Sequence, residues 1–203
     1  MAHKCFVSFN KEDQRYRNEI DHLFIAKDII NKGQDRGVYS YDSDHTMKEI
    51  RQDYLKDSTV TIFLIGMHSS EQEGCDSLGR RKNYQIELEL QASLHNGEIN
   101  MRNGVLGVVL PEMYDLIYKG AYKCPTCGKT HTNIVINDTT VIREFSKNYY
   151  IEPHTGCAWS GDDKYCVLVK WDDFVASPEL YIDMAFDKRS SDIADRVKIS
   201  GLR

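Results

Sequence analysis

The run Thr59-Val60-Thr61-Ile62-Phe63-Leu64-Ile65-Gly66 is apolar almost throughout, with no strict alternation of wet and dry positions. A strand of that composition needs cover on both faces, which places it inside a parallel sheet. A polar loop follows, and then Asn83-Tyr84-Gln85-Ile86-Glu87-Leu88-Glu89-Leu90, which has helical periodicity. Three more short runs have strand character: Lys4-Cys5-Phe6-Val7-Ser8-Phe9, Val38-Tyr39-Ser40-Tyr41, and Gly104 to Pro111, the last stopped by proline. Between the first two, Tyr16, Ile20, Leu23, Phe24 and Ile30 recur at helical spacing, which predicts a helix over about Gln14 to Asn31. Gly33 and Gly37 mark its end, and a further helix is expected from about Met47 to Lys56.

Strands alternating with helices imply a parallel sheet covered on both faces, in the order of a flavodoxin-like doubly wound α/β fold. Ligands of such sheets bind outside the carboxyl ends of the strands. The loops 9–13, 42–46 and 66–82, together with the start of the helix that carries Glu87, all fall at that edge. On the helix, Ile86, Leu90 and Leu94 form one apolar stripe, and Tyr84, Leu88 and Ala92 form another. Glu87 falls between the stripes. Glu89 falls in the remaining polar sector with Ser93 and Lys82, where solvent is the expected neighbour.

After Pro111 the pattern changes. Residues 112–163 read as a β-rich insertion before the last strand, with Asn133–Ile136 and Thr140–Ile142 as strands about an Asn137-Asp138 turn. Cys166 to Trp171 returns to a core-strand pattern, and Pro178 to about Lys188 is a plausible closing helix. The insertion contains Cys124-Pro125-Thr126-Cys127-Gly128, the form of a zinc knuckle, in which two intervening residues let both thiolates reach one ion. His154 and Cys157 repeat that spacing and are the expected second pair for a structural zinc, with His131 and Cys166 as competitors. The alternative is a set of reduced thiols without metal. A redox role is disfavoured, because no helix follows the pair to lower a thiol pKa.

The chain has 203 residues and a formal charge of −5, a balance that argues against a general nucleic-acid or anionic-membrane binder. No apolar run approaches the ~20 residues of a transmembrane helix. The N-terminus enters a strand pattern at once, without the apolar core of a signal peptide, so a cytoplasmic protein with reduced cysteines is expected.

Several chemistries are excluded by their missing parts. Neither G-x-G-x-x-G nor a Walker loop is present, so the common phosphate cradles are absent. A phosphoacceptor site is disfavoured, since Glu12 and Asp13 lie a little late for its acidic pair and no aspartate ends the third strand, and no nucleophile elbow is visible. A carboxylate beside an aromatic cleft remains, a setting that suits glycosidic chemistry with an oxocarbenium-like transition state. Phe9 and Tyr39 or Tyr41 are placed to stack on a planar base, with Ser8 and Asn10 to hydrogen-bond it. The same residues have plainer roles: Phe9 and Tyr39 as core-edge packing, Asn10 as a helix cap, Asp42 and Asp44 as turn residues.

Phe6-Val7-Ser8-Phe9, Val38-Tyr39-Ser40, Ser58 to Gly66, and Lys82-Asn83-Tyr84-Gln85-Ile86-Glu87-Leu88, taken in order and spacing, resemble the TIR-like domains of bacterial Thoeris antiphage systems. The resemblance covers about residues 3–111 and 166–190, and makes 1–203 a single TIR-like domain carrying the insertion. It implies an NAD-cleaving enzyme in which Glu87 holds the nicotinamide ribose while the bond to nicotinamide breaks. Asn83 stands where that family usually has tryptophan. The resemblance further implies self-association, with a neighbour's loop (here 42–46, including Asp44) completing the substrate site. It implies a cyclic or conjugated ADP-ribose signal to an effector protein, a phage trigger, and no cofactor beyond NAD as substrate. A non-catalytic TIR scaffold acting through homotypic contacts is the alternative.

Overall fold

The computed structural model describes residues 3–27, 29–31, 46–47, 49–75, 77, 79, 81–97 and 101–200. Five strands, β1 (Lys4–Ser8), β2 (Ile30–Asn31), β3 (Val60–Ile65), β4 (Gly104–Val109) and β7 (Val167–Lys170), form one sheet in the order β2-β1-β3-β4-β7. Every neighbouring pair is parallel. The doubly wound α/β expectation therefore holds, and the carboxyl ends of all five strands share one edge.

Among the described residues the α-helices are α1 (Gln14–Lys27), α2 (Tyr84–Leu94), α3 (Tyr114–Ile117), α4 (Arg143–Tyr149), α5 (Trp171–Ala176) and α6 (Pro178–Asp187), and Ile50–Tyr54, within the helix expected from about Met47 to Lys56, is a π-helical segment. Alternation along β3 splits the core between two faces. Val60, Ile62 and Leu64 pack with Ile20 and Phe24 of α1, Phe174 of α5 and Ile182 of α6. Phe63 and Ile65 pack with Ile86, Leu90 and Leu94 of α2 and with Phe145 and Tyr149 of α4. The second stripe of α2, Leu88 and Ala92 with Tyr84, meets Phe6, Ile50 and Leu55. Both apolar stripes read from the sequence are thus buried, each against a different partner.

The first helix ends earlier than its periodicity suggests. Lys27 closes α1, and Ile30–Asn31 pair with Lys4 and Cys5 of β1, so Ile30 belongs to the sheet. The expected strand Val38–Tyr41 lies outside the described residues. Between β4 and β7 the hairpin consists of β5 (Tyr118–Lys123) and β6 (Thr130–Ile134), joined across the Cys124–Cys127 knuckle. Asn137-Asp138 therefore joins no strand pair. Val141 and Ile142 are fully buried loop residues that lead into α4, whose Phe145 reaches Phe63 at a ring separation of 5.7 Å.

Gly104 begins β4 where α6 crosses the sheet. A methyl group there would overlap the Ala185 carbonyl, and that obstacle is backbone. Gly104→Ala is expected to cost about 3 kcal/mol, read as a fall in the urea midpoint. Gly161→Ala, which meets nothing within 4 Å, is the control expected to leave it unchanged.

Candidate functional site

The loops after β1 and β3 and the start of α2 are tied together at the carboxyl edge of the sheet. The Asn10 side-chain amide donates to Asn83 Oδ1 at 3.0 Å and to the His68 carbonyl at 3.3 Å. Asn83 donates to the carbonyls of His68 at 2.7 Å and Ser70 at 2.8 Å. A tryptophan, with one indole N–H and no acceptor, could not make all three of the bonds at Asn83. Asn83 thus crosslinks two loops by its amide, and Asn10 also caps the turn that precedes α1 by accepting from the Glu12 amide.

Two carboxylates leave the first half of α2 on opposite sides. Glu87 lies on the side of α2 that carries Gln91 and is hydrogen-bonded by the Arg81 guanidinium, which also binds Glu71. Its side chain is 13 % exposed, and that of Arg81 is 40 % exposed. The backbone amide of Arg143 donates to Glu71 Oε2 at 3.1 Å, and Gln91 donates to Glu144 Oε1 at 3.0 Å, so α4 closes the cluster from the other side. Burial holds the Glu87 carboxyl above its ordinary value; the Arg81 hydrogen bond opposes this, while the nearby charge of Glu144 adds to it. The result is a carboxylate in a polar niche whose main partner is partly in solvent.

Glu89 is where the sequence reading and the structure part. It was expected in solvent, but the polar sector of α2 is turned inward. Ser8 at the end of β1 donates to Glu89 Oε2 at 2.7 Å, and Gln85 donates to Oε1 at 3.0 Å. Ser93 lies 2.7 Å from the Thr61 hydroxyl of β3, and Asn103 donates to the same hydroxyl at 3.0 Å. The signal was present in the strands: Ser8 and Thr61 are hydroxyls in otherwise apolar runs, and a polar helix sector satisfies them.

Burial pushes the Glu89 carboxyl up to about 7, against the hydrogen bonds from Ser8 and Gln85. A carboxyl whose pKa is higher in the fold than in the unfolded chain binds its proton more tightly when folded. Its stabilising contribution is therefore complete below pH 4.5 and is lost as pH rises through about 7. The shift corresponds to ~3 kcal/mol. Asp13, 4 % exposed and pushed up to about 6 by burial and by Glu112, acts in the same direction. Urea unfolding at pH 5 and pH 8 should show a loss of stability in the wild type that Glu89→Gln reduces. Equal losses in the two proteins would contradict this placement.

The other expected substrate contacts are scattered. Ser8 is committed to Glu89. Phe9 packs against the α1 side of the core, with the Arg17 guanidinium 5.9 Å from its ring. Tyr39 and Asp44 lie outside the described residues. Asp13 directs a buried carboxylate at Gly66 that leaves Oδ2 without a partner among the described residues.

The cysteine cluster is regrouped. Cys124, Cys127, His131 and Cys157 each offer a ligand atom, and all four atoms lie within 4.8 Å of one another. His131 takes the place expected for His154, because the short hairpin returns His131 to the knuckle. His154 is instead stacked on Trp159 with ring centroids 3.6 Å apart. Cys166 is buried in the core, away from the group. These four side chains have the composition of a Cys3His metal site.

Among the described residues no helix is long and apolar enough to cross a membrane. A family model described as Thoeris protein ThsB, TIR-like domain, matches residues 6–77. The match runs from β1 through the loop after β3 and stops before α2, so it includes Ser8, Phe9 and Asn10 but not Glu87. No solved structure matches the chain.

Proposed function

We propose that the chain, whose residues 6–77 match a family model described as Thoeris protein ThsB, TIR-like domain, is a defence-related TIR protein that acts as an NAD-cleaving enzyme. Glu87 is the residue that acts on the substrate. The carrying observation is its setting: a half-buried carboxylate on the first turn of the helix that follows β3, with Arg81 as an exchangeable partner. A ribose diol needs carboxylate oxygens that it can reach. Glu89 has both oxygens engaged by Ser8 and Gln85, and burial favours its protonated form. Glu89 therefore positions α2 against β1, while Glu87 bears the negative charge that opposes the developing oxocarbenium ion.

In the reaction, the glycosidic bond electrons leave with nicotinamide, and the ADP-ribosyl carbon is captured by water or by a nucleophile of the same molecule or of an acceptor. For the diol to reach Glu87, the Arg81 side chain must swing aside, which its exposure permits. Self-association completing the site, a phage-derived trigger and an ADP-ribose-type signal to an effector protein complete the proposed pathway.

The Arg81–Glu87 pair also favours a second reading, a non-catalytic TIR scaffold in which the pair only braces α2. Nicotinamide release from NAD, followed in lysate of phage-infected cells expressing the chain, separates the two. The enzyme reading expects release that depends on Glu87. Infection-dependent protection by the chain that Glu87→Gln leaves intact, with no nicotinamide formed, would establish the scaffold instead.

A further inference from the structure

We infer that Cys124, Cys127, His131 and Cys157 form a closed structural zinc site that clasps the β5–β6 hairpin to the segment around residue 157. The geometry is that of a metal-sized group. His131 Nε2 lies 3.1 Å from Cys127 Sγ and 3.3 Å from Cys157 Sγ. A tetrahedral zinc with bonds of ~2.3 Å to sulfur and ~2.0 Å to nitrogen separates a sulfur from a nitrogen ligand by ~3.5 Å and two sulfurs by ~3.8 Å, so these contacts are within a few tenths of an ångström of zinc-bound spacing. All six cysteines are free thiols, so no disulfide competes for these positions.

The backbone is shaped for the same purpose. The Cys124 carbonyl accepts from the Gly128 amide at 2.9 Å, and the Cys124 amide donates to the Lys129 carbonyl at 2.8 Å, folding the knuckle tightly. Gly128 has φ +70°, a left-handed conformation that glycine adopts without cost. The turn thus directs both Cys124 and Cys127 to one side.

The hairpin also needs an anchor. Five of the six residues of β5 are exposed, and an isolated two-stranded hairpin is marginal in water. Residues 150–160 have no regular structure, although Trp159 packs on Tyr150 at 4.9 Å between ring centroids. From Tyr150 the contact continues through Tyr149 to Phe145 and so to Phe63 in β3. An ion held by Cys157 on one side and the knuckle on the other joins the exposed hairpin to this aromatic row. Four protein ligands leave no open coordination position, so the ion stabilises and does not take part in catalysis. Soft thiolates with one imidazole select zinc over magnesium or calcium.

The test uses the full chain and does not depend on NAD cleavage. Metal analysis of the purified protein should give one zinc per chain. After chelation, titration with Co(II) should produce the visible absorption of tetrahedral Co(II)–thiolate, saturating at one equivalent and displaced by Zn(II). His131→Ala should weaken Co(II) binding at least tenfold, whereas His154→Ala should leave it unchanged. Alkylation of the wild-type protein supplies a readout that requires no variant. Cys127 and Cys157, though exposed, should be protected until chelator is added, while exposed Cys75 reacts with and without it. The inference is overturned if the wild type shows no saturable Co(II)–thiolate spectrum, or if Cys127 and Cys157 alkylate as fast as Cys75 with zinc present. Loss of binding in His154→Ala with retention in His131→Ala would overturn the choice of fourth ligand.

Discussion

Glu87→Gln is expected to lower nicotinamide release from NAD at least about 100-fold, the scale on which a single preorganised electrostatic group acts on a transition state. The change conserves volume and keeps a hydrogen-bonding amide beside Gln91, so the fold should persist. Arg81 retains Glu71 as a partner. What disappears is the negative charge. A neutral amide still binds a diol, but it does not favour a cationic sugar over a neutral one. The loss should therefore appear in kcat more than in KM. Glu89→Gln is expected to reduce activity less, because Glu89 acts on the position of α2 through Ser8. Nicotinamide release followed by chromatography, with unfolding midpoints measured alongside, checks both. A Glu87→Gln protein that folds normally and cleaves NAD at the wild-type rate would remove Glu87 from the mechanism.

Phe145→Ala should be among the most damaging substitutions for stability, at about 3–5 kcal/mol. Phe145 is fully buried, its ring packs on Phe63 of the central strand and on Tyr149, and Gly107 of β4 leaves the space that its ring tip occupies. It belongs to α4, which lies in the stretch between β4 and β7, yet its neighbours are in the main sheet. The same core cluster includes Ile136, Val141, Ile142 and Ile151. This part of the chain is built into the domain core, and removing it would expose the β3–β4 face. Urea unfolding of Phe145→Ala measures the effect. A loss below about 1 kcal/mol would mean that the α4 contact is peripheral.

The parts legible in the sequence are those where hydrophobicity and burial coincide. Both stripes of α2 were readable because Ile86, Leu90 and Leu94 on one side and Leu88 and Ala92 on the other all found apolar partners. The same reasoning failed for Glu89 and Ser93, because it equates a polar sector with solvent. Here that sector meets Ser8 and Thr61 inside the fold, an arrangement that depends on hydroxyls in strands distant in sequence. Ile30 counted equally well as helix or strand on periodicity, and only pairing with Lys4 decided it. In the cysteine region, spacing identified the first pair, but the fourth ligand depends on where a hairpin closes. His131 and His154 are alike in sequence terms, and stacking on Trp159 removes one of them. The Arg81 bridge between Glu71 and Glu87 was equally hidden, since Glu71 and Arg81 sit in a loop with no periodicity to read.

The proposed function rests on Glu87-dependent cleavage of NAD during infection. Mass spectrometry of small molecules from phage-infected cells expressing the chain tests it most directly, wild type against Glu87→Gln at matched expression. Wild-type cells are expected to lose NAD and accumulate nicotinamide together with an ADP-ribose-type product, and the variant is expected to show none of these changes. Protection from phage with unchanged NAD in both strains would contradict it.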